Sequence, residues 1–87
     1  MNVVLTPQFE EDFRYWLKID KGVLKRILRL VEDIKITPFS GIGKPETLKY
    51  DLAKCWSRRI NSTHHLVYKI DNQSVILLSC RFYYLSR

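Results

Sequence analysis

The chain has 87 residues, with 15 Lys and Arg against 9 Asp and Glu, for a formal net charge of +6. Hydrophobic residues make up 46% and charged residues 28%, which excludes a disordered chain and suits a single domain, residues 1–87, with one modest core. The positive balance favours a polyanionic partner, nucleic acid before acidic protein, and no apolar run approaches the ~20 residues of a membrane-spanning helix.

Asn2 to Leu5 is short and β-branched, as a strand requires. Thr6 can cap a helix with Pro7 at its first position, and Glu10, Glu11 and Asp12 follow where the helix dipole favours negative charge. Those acids, with Arg14, also stand where a secretory leader needs apolar residues, so a cytoplasmic protein is expected. Phe9, Phe13, Trp16 and Leu17 share one face of this helix, which should end near Asp20. Gly22 marks a break, and a second amphipathic helix is predicted from Val23 to Ile36, with Leu24, Ile27, Leu28, Val31 and Ile34 as its stripe. The two helices form an αα-hairpin.

Thr37, Pro38, Gly41, Gly43 and Pro45 then punctuate a loop that carries Glu46. Ala53 to Ile60 is the next strand, Asn61 to Thr63 a turn, and His64 to Ile70 an alternating strand with Leu66, Tyr68 and Ile70 on one face. Asp71 to Gln73 is a tight turn, and Val75 to Tyr84 is long enough to be the central strand. Helices followed by an antiparallel meander give an α+β fold, a helical hairpin on one face of a sheet. Cys55 and Cys80 lie in apolar strand patterns and are expected as buried free thiols.

The chemistry concentrates near Glu46. It is one carboxylate among Lys44, Lys49 and Lys54, so it should stay ionised and available as a proton acceptor; a solvated surface glutamate is the plainer reading. Arg58 and Arg59 are neighbours in a strand and point to opposite faces, with Arg59 on the side of Ser57 and Cys55. A guanidinium suits phosphate because its planar fork donates two parallel bonds. Arg81, inside an apolar strand, needs either an ion partner or an open cleft. His64 and His65 cannot share a face, and neither they nor the cysteines have metal-ligand spacing, so no metal or other cofactor is expected. His65 lies outside the main core and can serve acid–base work, or can be structural. Trp56, Tyr83 and Tyr84 among arginines have the composition of a single-stranded RNA site, which core packing explains equally well for Trp56. A base for the 2′-hydroxyl proton and cations for the phosphate are what RNA cleavage without a metal needs. A DNA-binding repressor is disfavoured, because neither helix has a recognition face.

The runs TPFSGIGKPETLKYDLAKCWSRRI, HHLVYKI and CRFYY resemble the YoeB toxins of the RelE superfamily over nearly the whole chain. The resemblance implies a RelE-like, microbial-ribonuclease-like fold. It implies a ribosome-dependent mRNA endonuclease acting in the 30S A site. It implies neutralisation by an acidic antitoxin of the YefM type, in a family that includes dimeric toxins. It makes Glu46 the general base, gives Lys49 and Arg59 to the phosphate, and gives Tyr84 to substrate positioning; Lys44 and Arg81 join them as candidate phosphate contacts. Two positions depart from the family pattern. His65 stands where an arginine is usual, and Tyr83 where a histidine is usual. His65 or Tyr83 would then protonate the leaving oxygen. An attenuated toxin that only binds antitoxin or ribosome is the alternative.

Overall fold

The computed structural model describes residues 1–49, 52 and 54–83. Its elements are β1 (Asn2–Leu5), α1 (Pro7–Ile19), α2 (Lys21–Ile36), β2 (Glu46–Thr47), β3 (Cys55–Arg59), β4 (His65–Asp71) and β5 (Ser74–Ser79). The strands form a five-stranded sheet in the order β1-β5-β4-β3-β2. β1 runs parallel to β5 and every other pairing is antiparallel, so the sheet is mixed. The α+β architecture expected from the sequence is present.

Local chemistry accounts for the helix ends. Thr6 Oγ1 accepts from Phe9 N at 3.2 Å, and Pro7 occupies the first helical position. The two helices meet at Asp20 and not at Gly22. Asp20 N donates to Trp16 O, closing α1, while its carboxylate accepts from Gly22 N at 3.0 Å and Val23 N at 3.2 Å, opening α2. A carboxylate over free N-terminal amides starts a helix more firmly than a glycine stops one, so Gly22 lies inside the first turn.

The helices cover one face of the sheet. Phe9, Trp16, Ile27, Leu30 and Ile34 pack there on Leu66, Tyr68, Val75 and Leu77. The α2 stripe is centred on Leu30, which the sequence reading omitted; Leu17 and Leu28 remain about half exposed, at 50% and 49%. A smaller cluster of Leu48, Cys55 and Val67 forms separately. Cys55 and Cys80 are both buried, with no disulfide between them, and burial pushes the Cys55 thiol pKa up.

The last strand departs most from expectation. It ends at Ser79, and β4, not β5, is the middle strand. The reason lies in α1: Asp12 Oδ2 accepts from Cys80 N at 2.9 Å, and Trp16 Nε1 donates to Cys80 O at 2.8 Å. Both backbone groups of Cys80 are thus engaged by helix side chains, and the ladder stops. Arg81 therefore follows the strand and is not within it. Tyr84 lies outside the described residues.

Candidate active site

Glu46 is carried by a strand and not by the loop expected for it. Residues 46 and 47 add a short edge to the sheet, with Glu46 opposite Ser57 and Thr47 opposite Trp56. Two residues are too few for any periodicity to announce them. Residues 57 and 59 lie on one face of β3, and Arg59 pairs directly with His65 of β4. Opposed residues in such a pair project side by side. Together Lys44, Glu46, Ser57, Arg59, His65 and Tyr83 line one hollow of about 140 Å³.

Tyr83 reaches this hollow from beyond β5 because the chain turns back on β4. His65 N donates to Phe82 O at 3.1 Å, and Phe82 N donates to His64 Nδ1 at 2.7 Å. Phe82 takes a left-handed φ of 59° at the turn. The His64 ring is wedged against Trp16, centroids 4.7 Å apart, and against Phe82 at 5.4 Å. The His65 and Tyr83 rings then meet edge to face at 4.1 Å. The two histidines divide the work by strand alternation: His64 holds the returning segment and His65 faces the hollow. Sequence reasoning found no task for His64; its adjacency to a site histidine was the available signal.

The electrostatics of the hollow are lopsided. One carboxylate, Glu46, stands with Lys44 and Arg59. His65 adds no charge near neutrality. Burial lowers its pKa below the ordinary 6.5, Arg59 lowers it further, and Glu46 pulls weakly the other way. Its Nδ1 is buried with no hydrogen-bond partner among the described residues. The arrangement can accept a proton at Glu46, hold an anion at Arg59 and Lys44, and donate a proton from the Tyr83 phenol.

Two further candidates, Lys49 and Arg81, are not brought here. Lys49 is exposed just past β2 and does not line the hollow. Arg81 faces a different depression with Glu11, Arg14, Tyr15 and Lys18, its guanidinium 3.5 Å from the Tyr15 ring centroid. Tyr84 is not among the described residues. A larger hollow of about 330 Å³ lies between β1 and the helices. It is mostly apolar, and its charged lining residues, Glu10 and Arg14, pair with one another at 3.7 Å.

A family model for the YoeB-like toxin of bacterial type II toxin–antitoxin systems matches residues 5–84. The Toxin YoeB of Escherichia coli K12 is 40% identical over 84 residues, 97% of this chain and 100% of that protein. The Toxin YoeB of Synechocystis is 46% identical over 97% of this chain and 98% of its own length. Among solved structures, a YoeB/ParE toxin from Agrobacterium tumefaciens superposes with a TM-score of 0.93 at 38% identity, covering 97% of this chain and 100% of that one. The YoeB dimer from Staphylococcus aureus superposes with a TM-score of 0.89 at 40% identity, covering 97% and 98%. A heterotetrameric YoeB–YefM complex from the same organism gives 0.88 at 40% identity, with the same coverage.

Proposed function

This chain belongs to the YoeB-like toxins of bacterial type II toxin–antitoxin systems, and we propose that it is a metal-independent endoribonuclease that cuts mRNA in the ribosomal A site. The observation that carries this reading is the shared hollow of Glu46, Lys44, Arg59, His65 and Tyr83. The reaction is in-line attack of a 2′-oxygen on the adjacent phosphorus. Glu46 takes the 2′-hydroxyl proton as the new O–P bond forms. Arg59 and Lys44 bind the non-bridging oxygens as negative charge accumulates there. The bond to the 5′-oxygen breaks, and Tyr83 supplies the proton that makes it a 5′-hydroxyl; the other product carries a cyclic phosphate. Tyr83 is preferred to His65 as the acid because burial keeps the His65 imidazole neutral and so without a readily donated proton. Lys49 is assigned to the substrate phosphate and Tyr84 to orienting a base.

The whole chain acts as one toxin domain in the cytoplasm, and an acidic antitoxin of the YefM type neutralises it. The net charge of +6 suits both that partner and ribosomal RNA. The S. aureus complex and dimer support an antitoxin-bound assembly and a homodimer here as well. The test is cleavage of a ribosome-bound message by the intact chain and by Glu46→Gln. Loss of cleavage by the variant, on the order of a hundredfold or more, is expected of a missing general base; equal cleavage by the two proteins removes Glu46 from the reaction.

A further inference from the structure

Arg58 is 0% exposed, and every donor of its guanidinium is used. Nε donates to Tyr68 Oη at 3.2 Å. Nη1 donates to Asp33 Oδ2 at 2.5 Å and to Ile42 O at 3.1 Å. Nη2 donates to Thr37 O at 2.6 Å and to Ser40 O at 2.8 Å. Two second partners tighten the arrangement: Tyr68 Oη donates to Pro38 O at 2.7 Å, and Ile42 N donates to Asp33 Oδ2 at 3.0 Å. The backbone of residues 37–42 is therefore gathered around one cation.

That loop follows a path that two glycines permit and one lysine is forced into. Gly41 has φ 118°, Gly43 φ 80°, and Lys44, which carries a Cβ, φ 50°. A Cβ on Gly41 would collide with the Asp33 carboxylate, and one on Gly43 would lie 2.8 Å from Leu30 Cδ2. The left-handed backbone at Lys44 persists only where its surroundings over-determine it. The loop is then fastened to the sheet by Arg59 N donating to Gly43 O at 2.6 Å. The next residue is Lys44 and, two further on, Glu46, both lining the hollow.

We infer that Arg58 is a positioning residue of the active site: clamped by Asp33, its guanidinium winds residues 37–43 into the path that delivers Lys44 and Glu46 to the hollow. The inference rests on the reading of Glu46 as general base. Lysine at this position would still neutralise Asp33, but a compact ammonium with three donors cannot serve carbonyls on several sides at once. An apolar side chain would leave those carbonyls unpaired.

The test uses the full chain with Arg58→Lys, read in two ways. Amide hydrogen exchange at Ile42 and Arg59 should rise about tenfold or more, while Val67 and Tyr68 in β4 stay protected. In ribosome-programmed cleavage kcat should fall about tenfold or more with KM changed less than about threefold, and the loss in Arg58→Lys combined with Glu46→Gln should be clearly smaller than the product of the two single losses, because part of the Arg58 effect runs through Glu46. Equal loosening of β4 and the loop, unchanged kcat in the folded variant, or losses that multiply in the double variant would each overturn the inference. If Arg58→Lys fails to fold, Asp33→Asn takes its place with the same expected pattern and the same overturning outcomes. Unchanged cleavage by Glu46→Gln would instead defeat the assignment of the base, and the exchange measurement still decides whether Arg58 orders the loop.

Discussion

Arg58 and Arg59 are consecutive in β3 and have opposite surroundings. Arg58 is wholly buried against Asp33, whereas Arg59 is exposed and lines the hollow opposite His65. Strand alternation alone divides them: one guanidinium serves the loop, the other faces the hollow. The peptide group between them joins the two roles, because Arg59 N holds Gly43 O at 2.6 Å.

Replacement of Arg59 by methionine should therefore separate activity from stability. The side chain is exposed, and exposed substitutions away from caps and buried partners change stability by about 0.5 kcal/mol or less. Loss of one charge-bearing donor at a transition-state oxyanion costs roughly a hundredfold to a thousandfold in kcat. Thermal melting beside single-turnover cleavage of a ribosome-bound message measures both. A variant that melts normally and cuts normally would leave Arg59 without a place in the reaction.

Asp33 should make the fold acid-sensitive. Its hydrogen bond with Arg58 is the main cause that lowers its pKa below the ordinary 3.8, helped by the amide of Ile42. A carboxyl depressed in the folded state binds fewer protons there than in the unfolded chain. Its stabilising contribution is full well above pH 3.8 and is lost as pH falls through the depressed folded value. Asp33→Asn should cost about 3 kcal/mol at pH 7, since it leaves a buried guanidinium without its counter-charge. The variant should also lose less stability than the parent between about pH 4 and pH 2. Urea unfolding at a series of pH values is the measurement, and parallel pH curves for the two proteins would show that the pair carries no linkage.

How much of this could be read in the sequence depended on the range of the interaction. The helices were legible because Thr6, Pro7 and the apolar spacing are local signals, as were the Asn72 turn and the alternation that separates His64 from His65. Lys44, Glu46, Arg59 and His65 could be named as candidates because residue type and family resemblance point to them. Their common hollow was not legible, because it depends on β2, two residues long, and on the register Glu46 to Ser57. Arg58 could be placed only on the face opposite Arg59, because its counter-ion lies 25 residues earlier, on α2, where an aspartate resembles any other solvated helix charge. The end of β5 was hidden for the same reason: its stop signals, Asp12 and Trp16, lie 68 and 64 residues away from Cys80.

The imidazole of His65 sets the last expectation. Burial, and then the charge of Arg59, hold its pKa below 6.5, so at pH 7.5 the hollow offers the phosphate Arg59 and Lys44 without a third cation. Arginine at position 65 stays charged at any such pH. His65→Arg should therefore raise cleavage of a ribosome-bound message, by about tenfold if the added charge lowers the barrier by about 1.4 kcal/mol. The advantage should shrink on acidification, because the parent's imidazole gains its own proton as pH falls through the depressed value. Taking the ratio of variant to parent at each pH removes the titration of groups common to both. The same depressed pKa costs the parent stability on that descent: His65 contributes fully above pH 6.5 and progressively less below it, a dependence the arginine variant lacks. A ratio at or below one at pH 7.5, or one that grows as the pH falls, would mean that charge at position 65 does not limit the reaction.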